Sequence, residues 1–170
     1  MTGRRGISLL EVVIVMALLS VGLALSYPYY KNFIAIRSVE FWMDMIVSDL
    51  NRCKNNTLRE ERCWGIRITG NSSYELVTRT DDGSPWIPSI KRFMDRDFSG
   101  TTKFDNVYPP TVIYFEPTAS IEQQKDGHWV TVGIRENGVT LSSERSITLI
   151  SGTHKRYVKI TETGNFFSTE

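Results

Sequence analysis

Gly6-Ile7-Ser8-Leu9-Leu10-Glu11-Val12-Val13-Ile14-Val15-Met16 begins an uncharged stretch that continues to Leu25 and is interrupted by a single acid, Glu11. From Ile7 to Ser26 there are 20 residues. At about 1.5 Å per residue a helix of this length spans roughly 30 Å, the thickness of a bilayer core. Arg4 and Arg5 precede it, and by the positive-inside rule they hold the short leader in the cytoplasm. The rest of the chain is then expected on the other side of the membrane. A secretory signal peptide is the competing reading, and Ala24-Leu25-Ser26 has a small-x-small form. The apolar run is longer than the usual signal and carries an acid near its start, which speaks against that reading.

An acid near the lip of a membrane helix is unfavourable, by up to about 3 kcal/mol at mid-bilayer and less near the interface. Glu11 either snorkels to the headgroups or meets a cation. The candidate cation is a new N-terminal amine on Ile7, freed by a cut after Gly6. Within one chain that amine partly neutralises Glu11. Between chains it fixes the register of neighbouring helices, because opposite charges attract strongly where the dielectric is low. Removing one partner of such a pair strands a buried charge at about 3–5 kcal/mol.

These residues closely resemble the class III signal of type IV pilins and type II secretion pseudopilins. The resemblance implies that a prepilin peptidase cuts after Gly6 and methylates Ile7, and that Glu11 drives addition of the subunit to a filament. The family prefers phenylalanine where this chain has Ile7; that departure points towards a minor subunit. Pro28, in Ser26-Tyr27-Pro28-Tyr29-Tyr30, stands where the family often has a proline that bends or melts the helix. It can equally end the membrane helix, with the tyrosines as an interfacial belt.

Beyond the apolar run, Ile36, Val39, Met43, Ile46, Leu50 and Cys53 recur at spacings of three and four, an apolar stripe on a polar helix. Phe41 and Trp42 are expected to broaden its buried side, and Asp44, Asp49 and Arg52 to fall mostly on other faces. The helix is predicted from Ile7 to about Asn55, ended by the turn signal Asn55-Asn56-Thr57. Short β-rich segments follow. Trp64–Thr69 and Tyr74–Arg79 form a hairpin around Gly70-Asn71-Ser72-Ser73, and Thr111–Phe115, Trp129–Ile134, Ser146–Ile150 and Tyr157–Thr161 are further strands. Phe166 and Phe167 suggest a last short one. The proline-containing stretch 81–110 reads as an irregular insertion with one short strand near Ile90–Phe93. The expected fold is α+β: a long N-terminal helix, half for the membrane and half amphipathic, packed on a mainly antiparallel sheet. The expected division is a leader over 1–6, a transmembrane or filament-core helix over 7–30, and an extracytoplasmic domain over 31–170.

The order of these pieces resembles the minor pseudopilin class called GspH or FimT, on spacing and without a sharp motif. The resemblance implies a structural subunit with these partners: other pilin or pseudopilin subunits, the prepilin peptidase, an inner-membrane assembly platform, and lipid before assembly. It places the subunit as a single-pass inner-membrane protein, then in a periplasmic or surface filament that it initiates or caps. One rival is a DNA-binding minor pilin using Lys155, Arg156 and Lys159; another is a plain bitopic anchor carrying a receptor domain.

Composition adds limits. The formal charge is +1, and loss of the leader leaves 18 basic against 19 acidic residues, which is not a bulk nucleic-acid binder. On a strand, Lys155, Tyr157 and Lys159 share one face and Arg156 takes the other. Cys53 and Cys63 are the only cysteines: an oxidising compartment permits a disulfide, and two buried thiols are the alternative. His128 and His154 show no ligand spacing with them, so no metal site is expected; Asp95, Asp97 and Asp105 are loop carboxylates that could hold a cation or face water. Asn71-Ser72-Ser73 fits an N-glycan acceptor that the expected compartment does not favour. No phosphate loop, G-x-S-x-G or H-E-x-x-H is present, so neither enzyme activity nor a cofactor is expected.

Overall fold

The computed structural model describes residues 9–80, 84–94, 102–107, 109–118, 131–140, 145–160 and 166–169. Its first element, α1 (Leu9–Glu60), is one helix of 52 residues, about 78 Å long. The α+β expectation holds: the second half of α1 packs on antiparallel strands, while the first half stands clear of them.

The helix runs five residues past the expected end because tertiary contacts override the turn signal at Asn55-Asn56-Thr57. Thr57 is fully buried. Its hydroxyl donates to the Cys53 carbonyl at 2.9 Å and accepts the Trp64 amide at 3.3 Å. Trp64 Nε1 donates to Glu60 at 3.1 Å, so the last turn is tied to the strand that follows. Glu61, at φ 52°, then turns the chain out of the helix.

The strands are β1 (Cys63–Gly70), β2 (Ser73–Arg79), β3 (Ile87–Phe93), β4 (Lys103–Phe104), β5 (Thr111–Thr118), β6 (Thr131–Glu136), β7 (Val139–Thr140), β8 (Arg145–Ser151), β9 (His154–Ile160) and β10 (Phe166–Thr169). They form two sheets rather than one. The larger has the order β3-β2-β1-β5-β6-β7 and the smaller β10-β9-β8-β4, with every pair antiparallel. The first hairpin is tighter than the spacing predicts, since Gly70 pairs with Ser73 and only Asn71-Ser72 turn the chain. The insertion carries a full edge strand, β3, paired to β2 with a bulge beside Pro88. Proline suits that edge because it has no ladder donor to offer. Trp129 and Thr161, at the ends of two expected strands, lie outside the described residues.

The predicted stripe is the core from Val39 onward, while Ile36 at its start is only half-buried. Val39, Met43, Ile46, Leu50 and Cys53 are buried against Ile66, Ile68, Leu76, Ile113 and Phe115 of the larger sheet and Ile147, Leu149, Val158 and Ile160 of the smaller. Each large side chain taken out of water contributes about 1.5–3 kcal/mol. The stripe is thus the seam that both sheets share. Trp42 joins it, but Phe41 is 51% exposed, contrary to expectation. Helical geometry separates these neighbours by about 100°, and the sheets cover only one of them. On the larger sheet's other face, Gly65 is obligatory, because a Cβ there would run into the cross-strand Tyr114.

Candidate functional site: the N-terminal half of the helix

Residues 9–33 of α1 are all exposed. Leu9, Leu10, Val12, Val13, Ile14, Val15, Met16 and the large apolar residues up to Leu25 therefore have no cover among the described residues. The helix is long and apolar enough to cross a membrane. Glu11 is the one acid of this segment and stands in the first turn, where the helix dipole favours a carboxylate. Two polar side chains among the described residues of the run are internally satisfied. Ser20 donates to the Met16 carbonyl and Ser26 to the Gly22 carbonyl, each at 2.8 Å. Glu11 is thus the one group of the run whose charge calls for something outside it. Gly6 and Ile7, the residues of the expected cut, lie outside the described residues.

Pro28 sits inside α1 rather than at its end. It removes the hydrogen bond to the carbonyl four residues earlier and leaves the helix weakest between the apolar run and the domain. Tyr27, Tyr29 and Tyr30 are exposed around it, as an interfacial belt requires.

Above Pro28, polar pairs anchor α1 to the sheets. His154 Nε2 lies 2.6 Å from Asn32 Oδ1, Ser38 and Thr102 hydroxyls are 2.7 Å apart, and Arg156 donates to Glu40 at 3.0 Å. Deeper, the buried Asp49 accepts from the Tyr74 hydroxyl at 2.9 Å and from Arg92 at 3.2 and 3.3 Å. Burial, then the Asp49 charge, pushes the Tyr74 phenol above its ordinary range. The Asp49 hydrogen bond holds the Arg92 guanidinium protonated even more firmly than usual. Asp49 was expected on an outer face. It instead borders the stripe, three residues after Ile46 and four before Cys53, and that spacing was the available signal.

The remaining expected sites are placed as follows. Cys53 and Cys63 are both buried thiols, with no bridge between them. Cys53 faces the core with Trp64, Ile66 and Ile68 packed on the same cluster. Cys63, one residue before Trp64, is turned by the strand pleat to the sheet's other face. Burial, helped by Asp49, pushes the Cys53 thiol up to about 12. Lys155 is paired with Asp105 at 2.8 Å and Arg156 with Glu40, so two of the three candidate phosphate contacts are already in ion pairs. Lys155 and Lys159 share one face of β9, and Arg156 points with Val158 and Ile160 to the helix. Asp95, Asp97 and His128 lie outside the described residues, and no metal-binding cluster exists among the described ones.

Residues 1–27 match the prokaryotic N-terminal methylation motif, the motif of type IV pilin-like and pseudopilin-like proteins. The match covers the apolar run, the part of the helix that the sheets leave bare, together with the residues before it. It implies processing by a prepilin peptidase and assembly with other pilin-type subunits. No curated protein and no solved structure matches the chain.

Proposed function

We propose that the chain is a minor pilin or pseudopilin, a subunit that initiates or caps a pilus-like filament. The observation that carries this is the bare apolar half of α1 with Glu11 as its single acid, lying inside a methylation motif and continued as one helix into a folded domain. The sequence of events begins with insertion, Arg4 and Arg5 remaining cytoplasmic and residues 31–170 emerging beyond the membrane. A cut after Gly6 and methylation at Ile7 follow. Residues 7–30 then leave lipid for a bundle of like helices, in which Glu11 meets an amine and the loosened turn at Pro28 lets the helix adapt to its neighbours. The GspH or FimT class is the finer assignment, supported by the long helix followed directly by a hairpin.

Two alternatives predict different outcomes. A plain anchor keeps its leader and is indifferent to Glu11. A DNA-binding subunit needs Lys155, Arg156 and Lys159 exposed together, and nothing in their pairing favours that. The test is a filament-incorporation assay of Glu11→Ala in the native host. The mutant subunit should be processed, stay in the membrane fraction and be absent from sheared filaments. Normal incorporation would refute the role given to Glu11.

A further inference from the structure

His154 and Arg156 fix the direction in which β9 runs beside α1. His154, at the start of the strand, meets Asn32, and Arg156 meets Glu40, eight positions further along the helix. β9 therefore climbs away from the apolar run, and the tight turn Gly152-Thr153 before it points back towards that run. Asn32 stands six positions past Ser26. With residues 7–30 across a bilayer, that is about 9 Å beyond the hydrocarbon core, while the headgroup layer is itself about 5–7 Å deep. The domain thus reaches down almost to the lipid headgroups.

The charges at this height are mostly positive. Lys103 and Lys155 are both cross-strand partners of Ile150, next to the buried Leu149, so the pleat sets them on the face of the smaller sheet turned away from the core. Both are exposed, as is Lys31 on α1. Against these three cations the described residues place one acid, Asp105, whose carboxylate is 2.8 Å from Lys155 Nζ. With side chains 62% and 34% exposed, that pair is solvated and weak, so Lys155 can share its charge with a second anion. Arg37, Glu40 and Asp44 stand higher, about 16–27 Å past Ser26, where Arg37 and Arg156 offset the two acids.

We propose that this end of the domain docks on anionic phospholipid headgroups in the leaflet from which α1 emerges, with Lys31, Lys103 and Lys155 against the phosphates. The long lysine stems span the remaining gap, as snorkelling side chains do. A surface of anionic lipid attracts cations that lie within a Debye length of it. Pro28, between the apolar run and Asn32, is the turn at which α1 bends most readily to bring the three lysines into contact. The inference rests on residues 7–30 spanning the membrane. It adds a second hold on the bilayer, one that a subunit has to release before it enters a filament.

The full chain with Thr153→Cys takes a fluorophore on the exposed turn; Cys53 and Cys63 are buried and stay unlabelled in the folded chain. It is reconstituted into vesicles of phosphatidylcholine, alone or with about 30% phosphatidylglycerol, both holding the same trace of a lipid with a quencher on its headgroup. A surplus of two cations should raise the ratio of docked to undocked dye about tenfold in the anionic vesicles. The double variant Lys103→Gln, Lys155→Gln should return it to the phosphatidylcholine value, and about 0.5 M salt should do the same. Arg52→Gln removes an exposed cation about 39 Å past Ser26 and should change nothing. Equal quenching in the two lipids, insensitivity to the lysine pair, or an equally large effect of Arg52→Gln would overturn the inference. Carbonate extraction of the same vesicles separates it from the reading on which it rests. A chain that stays in the membrane pellet yet shows equal quenching loses the docking and keeps the membrane span; a chain released by carbonate loses both.

Discussion

Asp49 shows how much one side chain can decide in this protein. It is buried on a helix that could have kept it in water, and it is held by Tyr74 and Arg92 from two strands. Asp49→Ala leaves the Tyr74 hydroxyl and the Arg92 guanidinium without their acceptor. Because the Arg92 side chain is 29% exposed and water can reach it, the loss should be about 2–4 kcal/mol, below the full value for a sealed pair. Urea unfolding of the purified chain in mild detergent measures this. A second residue-scale prediction concerns Cys53. Its thiol is raised from an ordinary 9.0 to about 12 by burial and by Asp49. Between those values the unfolded chain has lost the proton and the folded chain keeps it, so Cys53 makes stability fall as pH rises through that window. Tyr74, shifted the same way, steepens the fall at its upper end. Cys53→Ala should flatten the decline between about pH 9 and 11 in urea melts taken across that range. Thiol reagents at pH 8 should label Cys53 and Cys63 only as the protein opens, with rates that rise steeply with urea. Gly65→Ala should lower stability by about 1–3 kcal/mol, since the added Cβ meets Tyr114 and the strand behind it with no room to move.

At the scale of elements, α1 is two helices in one. Its second half was legible in the 3–4 spacing from Val39 to Cys53, because a stripe that faces two sheets must be apolar at those steps. Its first half was legible from length and charge, because a segment that faces lipid has no polar side to hide. The helix end was not legible. Asn55-Asn56-Thr57 is a turn by local propensity, and only the buried Thr57 hydroxyl, reaching both Cys53 and Trp64, explains why the helix continues. The short strands β4 and β7 were equally hidden, since two residues carry no period and owe their form to the neighbours β8 and β6. Pro28 gives the prediction for this scale. Pro28→Ala restores the missing hydrogen bond and stiffens the junction by up to about 3 kcal/mol. The subunit should still insert and be processed, and should enter filaments less efficiently. Incorporation at wild-type level would mean that the filament needs no loosened turn there.

For the whole molecule, the two sheets and the upper helix form one clamp, closed by the shared apolar seam and by polar ties at Asn32, Ser38, Glu40 and Asp49. The rod is gripped at one end and bare at the other, and Pro28 is its weakest turn between the two. The N-terminal residues Gly6 to Met16 announce that arrangement in the sequence; the exposure of Phe41 is not announced there, because Phe41 reads as core until the sheets are seen to stop short of it. The division of labour stands or falls on whether the bare half is freed at its start. Intact mass spectrometry of the chain extracted from native membranes tests this most directly. The account predicts a species that begins at Ile7, lacks Met1–Gly6 and carries one methyl group on its new amine; a chain that retains Met1–Gly6 and is unmethylated would contradict it.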